Sequence, residues 1–407
     1  NIVNESNDIL KPWDLIAIAN DKITVSDYDS AIKYFELALQ ESKKSDDIKG
    51  IIRSTLGNAE CHMFLKNKIL AFRYSEESIK IASEANDLKH LSQAYMILSQ
   101  IQEVDGKLED AIESINNALS TAKEYGDEFI IAKISIVKAR FHLRRNQLDE
   151  VSNILKEHSE TLFKNGGKEE VLALELFGIV HINKNEFESG KNYILKAIEK
   201  AKEYKLYNTA FDFSINLGRI FFSQKQFNEA KTIFEDALSI SSLVDSDSDC
   251  MAKLCITETL YAQNEMNDAL EMSKELLSQA KSRENSFIIG ESYLIQSIIL
   301  IDKECYDKVY ENINLSFEYF QQIDNFTSSI RNLILFGDLC IKSKNPYYSN
   351  EFIRKYNYFI KSPKLNLNSQ KELHKQAFVI SDNIGDFDGA ISSLEKAKKL
   401  HGESEKE

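Results

Sequence analysis

The sequence predicts an all-α fold, an α-solenoid of about ten stacked helix-turn-helix units. A composition poor in Gly and Pro supports helices, and one short pattern recurs through the whole chain: small, apolar, two variable residues, apolar or aromatic, two variable residues, small. Its first residue is Ala31, Ala71, Ala111, Val151, Gly190, Ala230, Ala269, Val309, Ser349 and Ala390, with gaps of 39 to 41 residues. A period held this closely leaves no room for a separate folded domain.

Repeat six shows how one unit is built. Leu217, Gly218 and Phe221 recur at helical spacing on a first helix, and Ala230 and Phe234 do so on a second. Gly218 and Ala230 are small because the two helices cross there. The second helix of each pair is predicted to run for roughly 17–18 residues, or about 26 Å.

Short turns separate the predicted helices. Inside the units a Gly or Asn is expected to adopt the left-handed backbone conformation, as at Gly106, Asn146, Asn185 and Gly385, and the first unit has Ser26-Asp-Tyr-Asp at this place. Between units, a helix stop is followed by an N-cap, as in Asn86-Asp87, Gly126-Asp127 and Asp324-Asn325.

Composition limits the classes of partner. A net charge of −14 argues against a general phosphate-binding surface, so no nucleic-acid partner is expected, although a local basic patch remains compatible with it. No apolar run reaches the roughly 18–20 residues of a membrane span. The five cysteines form no CxxC pair and are predicted to be buried, reduced thiols, which favours a cytoplasmic protein.

The repeats resemble the tetratricopeptide repeat (TPR) family over nearly the whole chain. The residues that carry the resemblance are Leu217, Gly218, Phe221, Ala230, Phe234 and Ala237 in repeat six, Ala31, Phe35 and Ala38 in repeat one, and Gly178, Gly190 and Ala197 in repeat five. The Pro that commonly closes a 34-residue unit is absent and the second helices are longer. This is typical of the 40-residue subtype found in eukaryotic adaptors and bacterial regulators.

The resemblance implies a right-handed superhelix over residues 13–400, preceded by a lead-in at 1–12 and followed by a charged tail at 401–407. Two irregularities are expected. In repeat two, Leu56-Gly57 stands two residues early, and repeat nine carries Pro346 and Pro363 within residues 343–370. Asn1 in place of Met indicates a trimmed start.

In the resembled family the first helices line the concave face, which identifies candidate ligand contacts by position. Asn can hold a peptide backbone by paired hydrogen bonds, and Arg can hold a carboxylate. The candidates are Gln100, Arg140, Arg144, Asn183, Ile215, Asn216, Arg219, Phe222, Ser223 and Tyr261. The alternative is that Arg140, Arg144 and Arg145 form a solvated basic patch.

Apolar residues at the inner positions of repeats five to nine have two interpretations. They could form a groove that grips an apolar peptide or a partner helix, or a tight superhelix or dimer could cover them permanently. The stretch 287–302 is apolar nearly all round and should be buried on both faces. Besides the residues above, the stripe includes Ile182, Leu254, Leu294, Ile301, Ile334 and Ile341.

Catalytic and metal motifs are absent from the sequence, so neither an enzyme nor a cofactor is expected. His62, His142 and His181 share one slot of their units and are predicted to be core or half-buried residues rather than metal ligands. The acidic stretch 245–249 lacks the Gly and the closing Glu of a calcium loop, and is interpreted as an acidic loop.

These observations predict a protein- or peptide-binding TPR module, the regulatory or sensory part of a bacterial signalling protein. One alternative is a receptor for a short signalling peptide that controls a DNA-binding domain, and another is a passive scaffold. In the last repeat, Ile391, Leu394, Ala397 and Leu400 share one face. Solenoids normally cap such a face, so we expect the natural chain to continue or this face to form a homodimer.

Overall fold

The computed structural model describes residues 11–24, 27–244 and 247–404, and its α-helices form ten successive pairs. The first helices are α1 Pro12–Thr24, α3 Ile48–Phe64, α5 Leu88–Val104, α7 Glu128–Arg144, α9 Gly167–Asn183, α11 Tyr207–Ser223, α13 Ser248–Ala262, α15 Ser286–Asp302, α17 Phe326–Ser343 and α19 Leu367–Asn383. The second helices are α2 Tyr28–Lys44, α4 Lys68–Glu84, α6 Leu108–Tyr125, α8 Leu148–Asn165, α10 Phe187–Glu203, α12 Phe227–Ile240, α14 Met266–Ser282, α16 Tyr306–Gln322, α18 Pro346–Phe359 and α20 Phe387–Ser404.

The chain divides into two compact units, Asn1–Phe213 (unit 1) and Ser214–Glu407 (unit 2). Within each unit, a second helix packs on the first helix of the following pair, and first helices also contact one another. This arrangement confirms the predicted all-α solenoid. Over the described ranges, no helix has both the length and the hydropathy that a membrane crossing would require.

The recurring small residue holds the register of every pair. It is the fourth residue of each second helix, and it is buried in all ten. Gly190 shows why size matters here, because a β-carbon at this position would lie 2.7 Å from the carbonyl oxygen of Gly178 on the facing helix. The crossing therefore brings backbone against backbone, which a larger side chain would prevent.

The early glycine of repeat two has a separate contact. Position twelve of the first helix is Gly178 in α9 and Gly218 in α11, and in α3 it is the fully buried Ala59. Gly57 instead faces the preceding pair, where a β-carbon would lie 2.3 Å from the ring of Phe35. Repeat two is thus in normal register, and its glycine accommodates an aromatic ring of repeat one.

The turns follow the prediction only in part. Left-handed backbone occurs at Gly106, Asn146, Asn185 and Gly385 as expected, whereas Val25 and Ser26 lie outside the described residues. The predicted caps Asp87, Asp127 and Asn325 each accept a hydrogen bond from a backbone N–H of the first helical turn. The sequence did not indicate that Lys and Glu residues also adopt left-handed conformations, namely Lys66, Lys205, Lys225, Lys344, Glu284 and Glu304.

The second helix of repeat nine is shorter than those of repeats eight and ten, in the region where Pro346 and Pro363 stand. Helix α18 has 14 residues, begins at Pro346 and ends at Phe359. Pro is suited to this first position because it needs no backbone N–H donor there. Four of the five cysteines are buried as predicted, but Cys305 is exposed, because it lies in the turn just before α16.

Candidate functional site

Unit 1 contains a groove with a volume of 830 Å³. Every residue that lines it belongs to a first helix, α1, α3, α5, α7 or α9, apart from Lys66 in the turn after α3. A volume of this size falls within the roughly 300–1,000 Å³ of common ligand pockets. We call this cavity the unit 1 groove.

The helical repeat explains which side chains reach the groove. Residues at positions six, nine, ten and thirteen of a helix share one face, because each step of three or four residues is close to a full turn. Arg53, Gln93 and Lys133 occupy position six of α3, α5 and α7, and Gln100 and Arg140 occupy position thirteen of α5 and α7. Equivalent positions of successive repeats therefore lie along one surface.

Apolar side chains form nearly half of the lining. They give a ligand a surface on which it can bury apolar groups. Leu56 and Ile136 are almost completely buried, whereas Trp13 is 47% and Phe64 39% exposed. The apolar residues are Trp13, Ile23, Leu56, Met63, Phe64, Met96, Ile97, Val104, Ile136, Val137 and Leu172.

The charged residues that line the groove have a net positive charge, whereas the net charge of the whole protein is negative. Three glutamates line the groove, Glu60, Glu103 and Glu169. They face twice as many Lys and Arg residues, which are Arg53, Lys66, Lys89, Lys133, Arg140 and Lys168. In a chain of net charge −14, this is a local basic surface.

Two of the three groove glutamates are already paired. Glu103, with only 6% of its side chain exposed, lies 2.8 Å from the Nε atom of Arg144. Glu169 lies 2.9 Å from the Nζ atom of Lys133. Ion pairing of this kind satisfies the carboxylates, so the excess of positive charge remains available to a ligand.

Neutral groups orient two further cations. The Nη2 atom of Arg53 donates a hydrogen bond of 2.9 Å to the Oδ1 atom of Asn20 on α1. The Nζ atom of Lys168 lies 5.9 Å from the ring centroid of Phe64, which links α9 to α3 by a cation–π contact. Both side chains are positioned, and in the part of the chain that the structure describes neither forms an ion pair.

A half-buried carboxyl lies beside this surface on α9. Burial raises the pKa of Glu175 to about 7, the positive charge of Arg140 opposes the shift, and Asp212 adds to it. Glu175 therefore changes its charge near neutral pH, next to one of the predicted ligand contacts.

Four of the predicted contact residues belong to unit 1. Gln100 and Arg140 both line the groove. Arg144 is exposed and is not among the lining residues, but it forms an ion pair with Glu103, which lines the groove. Asn183 is exposed near the end of α9 and is not among the residues that line the groove.

The other predicted contacts belong to unit 2. Asn216, Arg219 and Ser223 are exposed on α11, and the Arg219 guanidinium lies 3.9 Å from the Sδ atom of Met251. Ile215 is only 6% exposed, so most of its side chain packs inside the protein.

Two aromatic predictions in unit 2 also make contacts within the chain. Phe222 packs edge-on against Phe227, with ring centroids 5.4 Å apart. The Oη atom of Tyr261 donates a hydrogen bond of 3.0 Å to a carboxylate oxygen of Asp302.

The apolar stripe of unit 2 is buried at Ile215, Leu254, Leu294 and Ile301 and half-buried at Phe222, Tyr261, Ile334 and Ile341. Leu254, Leu294 and Ile301 are each no more than 5% exposed. Thirteen of the 17 residues of α15 are buried, so the predicted burial on both faces is confirmed. Of the two interpretations, this burial favours the packed stripe over an open apolar groove.

A shared arginine joins three first helices of unit 2. Arg331 on α17 lies 3.1 Å from Glu291 on α15 and 3.5 Å from Glu258 on α13. The hydroxyl of Ser328 donates a further hydrogen bond of 2.7 Å to Glu291, which is 3% exposed. Burial also raises the pKa of Glu258.

The three histidines that occupy equivalent positions of their repeats each contact a residue of the same repeat. His62 is buried and stacks on Tyr74, His181 stacks on Tyr193, and His142 hydrogen-bonds to Gln147. Among the described residues, no three His, Cys, Asp or Glu side chains are grouped so that they could hold a metal ion. The acidic stretch 245–249 lies partly outside the described residues, at Asp245 and Ser246.

Sequence reasoning missed several groove residues. Trp13, Arg53, Lys89 and Lys168 were not predicted as contacts, although all four line the groove. One signal was available: Arg53 and Lys133 are 80 residues apart, which is two repeat lengths, so they had to face the same way.

Comparisons with known proteins agree with this architecture. A family model for the tetratricopeptide repeat matches residues 212–242. No curated protein sequence matches the chain.

Several solved structures share the fold. The apo form of RapI covers 84% of this chain and 95% of its own, with a TM-score of 0.58 and 16% identity. The apo form of the quorum sensor NprR from B. thuringiensis covers 77% and 89%, with a TM-score of 0.52 and 14% identity. A signal-transduction ATPase with a tetratricopeptide-repeat sensor, from Pyrococcus horikoshii, covers 91% of this chain and 52% of its own, with a TM-score of 0.50 and 14% identity.

Proposed function

We propose that this chain, which shares the fold of tetratricopeptide-repeat proteins and matches that family's model over residues 212–242, is a peptide- or protein-binding module whose ligand occupies the unit 1 groove. The observation that carries the proposal is the lining itself, which brings one face of five successive first helices to a single cavity of 830 Å³. Apolar residues supply contact area, and amides such as Gln93 and Gln100 supply donors and acceptors for a peptide backbone.

We further propose that the module is the regulatory or sensory part of a bacterial signalling protein and acts in the cytoplasm. NprR is a quorum sensor, and the tetratricopeptide repeats of the archaeal ATPase are a sensor. These two names support a signalling role for a chain of the same fold. A receptor for a short signalling peptide that controls a DNA-binding domain is the more specific form of this proposal.

A passive scaffold is the competing function, and ligand-induced change separates the two. A sensor must favour one conformation when its ligand is bound, whereas a scaffold has no such requirement. Small-angle scattering of the full chain should show a smaller radius of gyration or a dimer on saturation with a selected peptide. Unchanged scattering at saturation would favour the scaffold.

The ligand site itself can be tested with an unbiased peptide library. Peptides selected on the wild-type chain should lose at least about tenfold in affinity for Gln100→Trp, because the larger ring occupies the groove. The matched control is Asn117→Trp, an exposed residue of the second helix α6, which should leave affinity unchanged. Equal affinities for both variants would exclude the unit 1 groove as the site.

The predicted contacts of unit 2 remain part of the proposal. Asn216, Arg219 and Ser223 are exposed, so they are accessible to a ligand that binds unit 2. The double variant Asn216→Ala with Arg219→Ala should then weaken capture of such a ligand without changing helix content by circular dichroism. Unchanged affinity would remove these residues from the site.

A homodimer through the C-terminal repeat also remains a proposal. Ile391 is 56% and Phe387 is 67% exposed on α20. Analytical ultracentrifugation of Ile391→Glu against wild type tests it, because a charge in a dimer interface should shift the chain to monomer. A wild-type chain that is monomeric at every concentration would contradict the homodimer.

A further inference from the structure

We propose that the unit 1 groove selects an extended peptide that carries an acidic side chain at about every third residue. The inference rests on the proposed function, since it assumes a peptide ligand in this groove. The observation behind it is a row of four cations, Arg53, Lys89, Lys133 and Lys168, each within the first six residues of α3, α5, α7 and α9. We call these residues the basic row.

The basic row carries more positive charge than its ion pairs neutralise. Lys133 pairs with Glu169, but within the described residues Arg53, Lys89 and Lys168 form no ion pair. Arg53 is oriented by the amide of Asn20, and Lys168 by the ring of Phe64. The N-terminal ends of the four helices add partial positive charge to the same side of the groove.

These charges select against neutral and basic ligands. A peptide that fills the groove displaces water from the cations, and burying an unpaired charge is costly. A ligand carboxylate removes this cost by forming charge-assisted hydrogen bonds. The apolar lining beside the row, including Leu56 and Ile97, accommodates the uncharged residues in between.

The spacing of the cations sets the spacing of the acids. The four helices are successive neighbours in contact, α3 with α5, α5 with α7 and α7 with α9. Packed helices lie roughly 8–10 Å apart, and because Arg53 and Lys133 stand at position six of their helices but Lys89 and Lys168 at position two, neighbouring cations are also offset by about 6 Å along the helix axis. Neighbouring cations are therefore about 10–12 Å apart, and an extended peptide advances about 3.3–3.6 Å per residue. One step along the basic row therefore corresponds to about three peptide residues. Single carboxylates at this interval match the row, whereas a terminal carboxylate satisfies one cation only.

Binding of three designed peptides, measured by fluorescence anisotropy, tests the inference. All three are ten residues long, acetylated and amidated so that only side chains carry charge. The first has Glu at every third position among Leu and Ser, the second has the same composition with its Glu residues adjacent, and the third has Gln in place of Glu. We expect the first to bind about tenfold more tightly than the second, because it meets more of the row. The third should bind more weakly still.

Substitutions in the chain test whether the basic row causes the preference for the spaced peptide. Arg53→Gln with Lys89→Gln should abolish the advantage of the spaced peptide. The matched control, Lys123→Gln with Lys156→Gln, removes the same charge from exposed positions of the second helices α6 and α8 and should preserve it.

The outcomes separate this inference from the proposed function. If library-selected neutral peptides bind the groove and are sensitive to Gln100→Trp, while the spaced Glu peptide has no advantage, only the inference fails. If no peptide of any composition is sensitive to Gln100→Trp, both fail. Tighter binding of a single-stranded oligonucleotide than of the spaced peptide would also overturn the inference, because the row would then recognise phosphate.

Discussion

Gly218 on α11 lies directly against the ring of Phe234 on α12, so that a β-carbon on Gly218 would be 2.4 Å from the nearest ring atom. Phe234 is 2% exposed. The pair fixes the crossing of the two helices of repeat six, in the segment that the tetratricopeptide family model matches. The contact explains why position 218 lacks a side chain although glycine is a poor helix former.

Gly218→Ala should destabilise the protein by about 1–3 kcal/mol, because the new methyl group forces the ring or the helix to move. Urea unfolding followed by circular dichroism measures the change. Phe234→Leu should restore part of the loss in the double variant, since a smaller side chain leaves room for the methyl group. Additive losses in the double variant would show that the two residues do not interact in this way.

Lys225 adopts a left-handed conformation, with φ of 62°, in the turn between α11 and α12. A residue with a β-carbon is strained there by about 1–2 kcal/mol relative to glycine. Lys225→Gly should therefore raise the midpoint of thermal unfolding and stabilise the chain by about 1 kcal/mol. Lys274→Gly, at an exposed position inside α14, should instead destabilise it by about 1 kcal/mol. A loss of stability at both positions would contradict the assignment of strain.

Arg331 holds the buried Glu291 and the half-buried Glu258 together in unit 2. Arg331→Gln should destabilise the protein by about 2–3 kcal/mol at pH 8, because the carboxylates lose their counter-charge. The loss should be smaller at pH 5, because burial raises the pKa of Glu258 and this carboxyl can then take up a proton. Arg354→Gln, which removes an exposed pair with Glu351, is the control and should change stability by less than about 0.5 kcal/mol. A loss that is independent of pH would contradict the electrostatic account.

Glu175 makes stability depend on pH because its pKa is raised from 4.5 to about 7 in the folded chain. The folded state therefore holds a proton that the unfolded state releases between these two values, and stability falls as pH rises through this window. Glu175→Gln should remove this dependence and stabilise the chain at pH 8 by up to about 3 kcal/mol. Denaturant unfolding at pH 5 and pH 8 provides the comparison. An equal effect of the substitution at both pH values would show that the carboxyl is not protonated near neutrality.

The helical register could be predicted because it depends on local spacing. Ala31, Gly190 and Ala390 are separated by multiples of almost the same interval, and the structure places each at the fourth position of a second helix. The left-handed turns were predicted only where Gly or Asn marked them. At Lys225 or Glu304 the geometry is imposed by the two helices that the turn connects, which overrides the local preference of the residue.

The groove could be predicted only in outline. Periodicity correctly indicated that Gln100 and Arg140 face the same way, since both occupy position thirteen of their helices. It could not show that Arg144 is held by Glu103, because that pair joins residues 41 positions apart. Periodicity also could not show that Leu294 is buried whereas Met96 lines the unit 1 groove. Burial depends on how closely neighbouring first helices approach each other.

Site-specific photocrosslinking tests most directly whether the first helices of unit 1 form the working surface. Benzoylphenylalanine would replace Gln93, which lines the groove, or Ser120, which is exposed on the second helix α6. With a library-selected peptide, we predict a covalent adduct from position 93 and none from position 120. An adduct from position 120 without one from position 93 would contradict the account, because the ligand would then bind to the opposite layer of helices.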